Sequence, residues 1–340
     1  MESIIDIQKR LLPDLLQVMQ KRHQILKSVR LMQPVGRRSL AQTLGMTERV
    51  LRSEVEFLKD QDLIEIKSSG MIITAEGELL LGKTADMMRE ITGIDSMEKE
   101  LKSLLNLHKI FIVPGNSDES PWVKEELGRS AALRMKDLLV GDNIIAVTGG
   151  STMAEVAEKL TPEFAKSEVL FVPARGGIGE DVKNQANTIC AKMAERTSAK
   201  HRVLYVPDQV STEVYNSFIK EPDIKDVLSL IKSANIVLHG IGDAVTMAER
   251  RKTSEEVLGK ILAGNAVGEA FGYYFNEEGE VVHKVTTVGL QLEDLRDKSN
   301  VIAVAGGRSK AKAIRAYFKS VPHSTILITD EGAAKELLKG

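Results

Sequence analysis

From Lys109 onward, short apolar runs recur between amphipathic stretches: KIFIV, NIIAV, VLFVP, RVLYV, NIVLHG, NVIAVAG and TILIT. Each is apolar at successive rather than alternate positions, the pattern of a strand buried on both faces. Parallel strands need crossover connections, and the intervening stretches are long enough to supply them as helices. The alternation predicts a parallel sheet covered by helices on both faces, a Rossmann-like α/β domain. GYYFNEEGEVVHK interrupts the pattern and predicts a hairpin turning at 276–279.

The chain before Lys109 follows a different period. Leu16, Val18, Met19, Ile25, Leu26, Val29 and Leu31 fall at helical spacing, and Pro34 and Gly36 end that helix. RRSLAQTLGMTERVLRSEVEFLKDQDLIEI then predicts a short helix over 39–44, a turn at Gly45 and a second helix over 48–59 capped by Thr47. Ala41, Leu44, Val50, Leu51, Val55 and Leu58 form the expected inner face. LIEIKSSGMIITAEG adds two apolar runs around SSG, as a hairpin wing would.

This is the pattern of a winged helix-turn-helix, whose second helix enters the major groove. Thr47, Arg49, Arg52 and Ser53 are its DNA-facing candidates, with Arg37 and Arg38 expected on the phosphate backbone. A formal net charge of −2 hides this, because the basic residues of the first segment are balanced by acids further on. A length of 340 residues accommodates more than one domain of ~150 residues. The expected division is a winged helix-turn-helix over 1–75, a linker helix over 76–92, and an effector-binding and oligomerisation domain over 93–340.

VTGGST follows the run NIIA and precedes the helical MAEVAEKL. In open α/β sheets ligands bind beyond the carboxyl ends of the strands, and helix N-termini there favour anions. Gly149 and Gly150 allow close backbone approach, while Ser151 and Thr152 add N–H groups and hydroxyls. No lysine stands in P-loop spacing and no G-x-G-x-x-G is present, so neither a Walker site nor a standard dinucleotide site is supported. PARGG, HGIGDAVTMAERR and AGGRSKAKAI follow other runs, and bring Arg175, Arg250 and Lys310 to the same sheet edge.

Composition excludes several classes. With 43% hydrophobic and 28% charged residues the chain has no apolar run long enough for a membrane span. Glu2 and Asp6 lie where a secretory leader would be basic and then apolar, so no leader is expected. One cysteine, Cys190, excludes an internal disulfide, and six scattered histidines give no zinc spacing, so neither metal nor cofactor is expected.

VTGGST, GIGDA, AVGEAFGYYFNEEGEVV and VIAVAGGRSKAKAIRAYFKSVPHSTILITDEGAA resemble the sugar-binding domain of the SorC family of bacterial transcriptional regulators. With LAQTLGMTERVLRSEVEFLKDQDLI the resemblance covers practically all 340 residues, and is nearer the glycolytic branch than the sugar-alcohol members. It implies a cytoplasmic repressor of glycolytic genes, a homo-oligomer (dimer or tetramer) on operator DNA, with fructose 1,6-bisphosphate as effector. Under it, Gly149, Gly150, Ser151, Thr152 and Lys310 would hold one phosphate, Arg175 and Arg250 the second, and Glu269 would orient the sugar.

The family's effector domain is related in fold to ribose-5-phosphate isomerase and glucosamine-6-phosphate deaminase, which raises an enzymatic alternative. Such deaminases carry Asp-Gly-His in a glycine loop, whereas here Asp243 is followed by Ala244 and Val245. The acid–base partner is missing, although Asp243 and Glu269 remain as a carboxylate pair. A regulator without catalysis accounts for both ends of the chain.

Overall fold

The computed structural model describes residues 4–166, 168–177 and 181–339. The chain divides into two compact units between Met97 and Glu98.

The first unit contains α1 (Ile4–Leu11), α2 (Pro13–Met32), α3 (Arg37–Thr43), α4 (Glu48–Asp60), β1 (Ile64–Lys67), β2 (Gly70–Ile73) and α5 (Ala75–Thr92). A further helix, α6 (Ile94–Leu104), crosses the boundary. Thr47 is the N-cap of α4, its Oγ1 accepting the Val50 N–H at 3.4 Å. Strands β1 and β2 form the antiparallel wing, and Val35 bridges to Met71 beside them. Ile25, Val29, Leu40, Leu51, Val55, Leu58, Ile64 and Met71 make one core.

Two expectations change here. Val50 is 43% exposed, because Leu51, Val55 and Leu58 form the inward stripe and Val50 lies roughly 100° from it. The stretch expected as a linker is α5, which buries Leu81 in the same core and is therefore part of the first unit. Thr74 caps it, accepting from Gly77 N–H at 3.0 Å.

The second unit carries, in order, β3 (Lys109–Val113), α7 (Pro121–Asp137), β4 (Asn143–Val147), α8 (Ser151–Lys159), β5 (Val169–Pro173), α9 (Ala186–Thr197) and β6 (Lys200–His201). It continues with α10 (Thr212–Phe218), α11 (Pro222–Ser233), β7 (Ile236–Gly240), β8 (Gly242–Asp243), α12 (Ala244–Arg250), α13 (Glu255–Ala263) and β9 (Gly268–Ala270). The last elements are β10 (Tyr273–Phe275), β11 (Val281–Lys284), β12 (Asn300–Val304), α14 (Ala311–Phe318), β13 (Ile326–Asp330) and α15 (Glu331–Lys339).

Seven of these strands form a parallel sheet in the order β3-β13-β12-β7-β4-β5-β6. The sheet is Rossmann-like, as the alternating runs imply. From β4 the chain builds outward to β5 and β6, then returns to the other side of β4 with β7. That reversal opens a crevice beyond the ends of β4 and β7, where such folds bind ligands. Ile145, Val147, Phe171, Leu238, Ile302, Val304 and Ile328 fill the core with Val123, Leu127, Val156 and Ile189 from the helices.

RVLYV is not the sixth strand. Pairing with β5 covers Lys200 and His201, ends as Arg202 N–H donates to Phe171 O, and gives way to the Asn187 side chain. Asn187 bonds both the N–H and the C=O of Leu204, at 2.9 and 3.0 Å, where a strand partner would stand.

A four-stranded antiparallel sheet, β11-β10-β9-β8, contains the expected hairpin, with Gly279 N–H donating to Asn276 O. Its β9–β10 turn is the pair Phe271 and Gly272, both with positive φ, as twisted two-residue hairpins require.

Candidate functional site

The crevice between β4 and β7 is lined by residues 148–153, Arg175, Asn184, Gln185, Asp208, Gly240, Arg250, Arg251, Glu269, Phe271 and Lys310. All eight residues expected to contact an effector therefore meet at one place. Their surroundings within the crevice differ from one residue to the next.

The glycine pair serves the protein's own backbone first. A Cβ on Gly149 would lie 2.7 Å from the carbonyl oxygen of Asn184, and Gly150 N–H donates to that same oxygen at 2.8 Å. Gly150, at φ +120°, is the N-cap of α8 and offers no side chain to satisfy the helix's first turn. The N–H groups of Ser151, Thr152 and Met153 thus carry the anion-binding capacity of the motif.

The other strand-end loops are already satisfied. Gly307 N–H donates to Asp330 Oδ2 at 2.7 Å, and Ser309 donates through N–H and hydroxyl to Asp118. Gly176 and Gly177 N–H groups are taken by Val288 and Val206 carbonyls. Asp243 caps α12, accepting both the N–H and the hydroxyl of Thr246 at 2.9 Å. What these loops give the crevice is side chains.

Three cations gather near α8. Lys124 on α7 donates to Ser151 Oγ at 2.8 Å. Burial lowers the Lys310 ammonium below the ordinary lysine range, Lys124 and Arg250 lower it further, and Asp118 and Asp330 oppose them. Arg250, expected beside Arg175, is thus close enough to both lysines to act on each.

Arg175 belongs to a separate buried network. Its Nη2 lies 2.6 Å from Asp208 Oδ1, and its Nη1 lies 3.5 Å from Glu269 Oε1. Arg251 approaches the same two carboxylates at 3.2 and 2.9 Å and donates to the Tyr274 hydroxyl at 3.1 Å. Burial raises the Glu269 carboxyl, but Arg251, Arg175 and the Gly272 N–H outweigh it, so the group is held below its ordinary value. Glu269 is an anchored carboxylate. Arg175 Nε and Asn184 Oδ1, both in the crevice wall, are buried with no hydrogen-bond partner among the described residues.

Sequence reasoning missed Arg251, Asp208 and Lys124. The Arg250–Arg251 doublet was the available signal for the first. The other two lie in segments without motif character.

On the first unit, Arg37, Arg38, Thr47, Arg49, Arg52 and Ser53 are all exposed. Arg52 pairs along α4 with Glu56 at 2.9 Å, and Arg38 lies 3.9 Å from Glu48. The inner residues Leu51, Val55 and Leu58 fix α4 so that this polar face points outward.

Residues 89–339 match the family model of the sugar-binding domain, and residues 18–88 match that of the CggR N-terminal DNA binding domain. The chain belongs to the SorC family, with the central glycolytic genes regulators. The regulator of that name from Priestia megaterium is 61% identical over 340 residues, covering 100% of this chain and 99% of its own. The one from Bacillus subtilis is 58% identical over 339 residues with the same coverage. A SorC-family structure from Enterococcus faecalis is 49% identical, covers 72% of this chain and 99% of its own, and superposes with a TM-score of 0.68. The full-length sorbitol operon regulator SorC from Klebsiella pneumoniae, 19% identical, shares the fold over 96% of this chain and 99% of its own at a TM-score of 0.66. This SorC-family chain is a transcriptional regulator with a DNA-binding unit and a sugar-binding unit. Among its described residues, no helix is long and apolar enough to cross a membrane.

Proposed function

We propose that the protein is a cytoplasmic repressor of glycolytic genes, active as a homo-oligomer on operator DNA, and that fructose 1,6-bisphosphate is its effector. The observation that carries the effector assignment is a pair of differently built positions in one crevice, a cationic one at the start of α8 and an arginine-bearing, charge-balanced one across from it. At α8, the first-turn N–H groups, which receive no N-cap side chain, and the helix dipole stand in one crevice with Lys310 and Arg250, a setting suited to a terminal phosphate. Across the crevice, Arg175 has an Nε with no partner among the described residues and suits a second phosphate. A bisphosphate would engage both. Relatives named for central glycolytic genes support the choice of a glycolytic sugar.

The same geometry argues against an isomerase or deaminase. Asp243 is committed to a helix cap, and Glu269 is held ionised between two arginines rather than raised toward neutrality, as a general acid or base would be.

Calorimetry of the full chain with fructose 1,6-bisphosphate and fructose 6-phosphate tests the reading, with operator binding measured beside each. The bisphosphate should bind far more tightly and alter the operator complex. Arg175→Ala should cost the bisphosphate about 10- to 100-fold in affinity and the monophosphate almost nothing. Thr152→Glu should abolish both by placing a carboxylate in the phosphate seat. Equal affinities for the two sugars, or turnover of either followed by NMR, would overturn the proposal.

A further inference from the structure

Gly128 on α7 lies against the backbone of α8: a Cβ there would fall 2.8 Å from the carbonyl carbon and oxygen of Glu155. The two helices are therefore as close at this point as backbone allows. One turn earlier on each helix stand Lys124 and Ser151, since residues four apart share a helix face. The close approach at Gly128 and Glu155 delivers the Lys124 ammonium to the first turn of α8, where it reaches Ser151 Oγ at 2.8 Å. Contact between α7 and α8 is thus what aims this lysine.

We infer that Lys124 is the third cation of the phosphate seat, completing with Lys310 and Arg250 a ring that selects a doubly charged phosphate. The inference rests on the proposed effector site. Lys124 is half-buried beside Glu155, one carboxylate against the positive charges of Arg250 and Lys310. Burial lowers its ammonium below the ordinary lysine range, Glu155 opposes this and Arg250 adds to it. Lys310 faces Asp118 and Asp330 as well as the two cations. A dianion at the N–H groups of Ser151, Thr152 and Met153 would turn this mutual repulsion into shared attraction, whereas a neutral hydroxyl would not. Ser151 Oγ, as acceptor, holds the ammonium beside the seat meanwhile.

Calorimetry with fructose 1,6-bisphosphate and with inorganic phosphate decides the matter, on wild type, Lys124→Met and Lys124→Arg. Lys124→Met should weaken both ligands by a similar factor of about 10 to 100, because it removes one charge from a single seat. Lys124→Arg should stay within a few-fold of wild type, and unliganded melting temperatures should show all three chains folded. Wild-type affinity in Lys124→Met overturns the inference and leaves the effector reading intact. Equal losses in the folded Met and Arg variants also overturn it, because they mean that the side chain only positions Ser151. Failure of the wild type to bind the bisphosphate removes both.

Discussion

Arg175 and Asp208 form a buried ion pair, Nη2 to Oδ1 at 2.6 Å, and Arg251 shares the same carboxylate at 3.2 Å. Two guanidiniums and the Asp208 and Glu269 carboxylates thus balance under the crevice floor. Asp208→Asn should leave two buried cations against one anion and lower stability by about 3–5 kcal/mol, the usual effect of breaking one partner from a buried pair. Urea unfolding would measure this. Fructose 1,6-bisphosphate should then raise the variant's melting temperature more than that of wild type, since its phosphate restores the missing negative charge. An unchanged urea midpoint would show that Asp208 does not balance the arginines.

Arg52 sits on the outer face of α4, paired with Glu56 and 67% exposed. Arg52→Ala should weaken operator binding by about 1–3 kcal/mol and blur discrimination, if its guanidinium reads a base edge. Fluorescence anisotropy on operator and scrambled duplexes at several salt concentrations separates two outcomes. Losing the operator preference identifies a base contact, whereas a uniform loss with a salt slope smaller by about one identifies a phosphate contact. Unchanged affinity on both duplexes would take Arg52 out of the interface.

Thr74 and Thr47 cap α5 and α4, but with different numbers of bonds. Thr74 Oγ1 accepts from Gly77 N–H at 3.0 Å and donates to Asp62 O at 2.6 Å, while Thr47 accepts one longer bond from Val50. Thr74→Ala should therefore cost about 2 kcal/mol and Thr47→Ala about 1 kcal/mol or less. Hydrogen exchange across residues 62–92 and 47–60 of the full chain reads the two effects separately. The reverse ranking would contradict the bonding seen here.

His239 is fully buried, with Nδ1–H donating to Gly240 O at 3.0 Å and Nε2 accepting from the Tyr317 hydroxyl at 2.8 Å. Burial lowers it to about 4, against smaller opposing effects from Gly240 and Glu269. Its folded value lies below the unfolded 6.5, so the unfolded chain takes up the proton first. The stability it contributes is present above pH 6.5 and is lost as pH falls toward 4, by about 2–3 kcal/mol. Denaturation followed through Trp122, the chain's one tryptophan and part of the second unit, should show this fall. His239→Phe should flatten the pH dependence. A variant as acid-sensitive as wild type would place the effect elsewhere.

The parallel sheet was legible because strands buried on both faces must be apolar throughout, and NIIAV or NVIAV cannot be satisfied otherwise. The helix-turn-helix was legible for an equally local reason: Thr47, the turn at Gly45 and the Leu51, Val55 and Leu58 stripe act within a few residues of one another. GGST declared a helix start at the end of a strand by the same logic. RVLYV misled because its apolar content equals that of a strand, while the pairing partner that decides the matter is the Asn187 side chain.

Local rules therefore determined most of the elements and put the GGST loop at the carboxyl end of a strand, since buried strands and helix starts follow from period and caps, whereas the strand order that opens the crevice follows from long-range pairing. Tertiary structure alone decided which charges stand together. Lys124 meets Ser151 because α7 and α8 touch at Gly128, and Arg175 meets Asp208 and Glu269 because three distant segments close under one crevice. Electrostatic energy depends on distances of a few ångströms in a poorly screening interior. Such distances are fixed by how separate elements pack, and sequence spacing does not carry them.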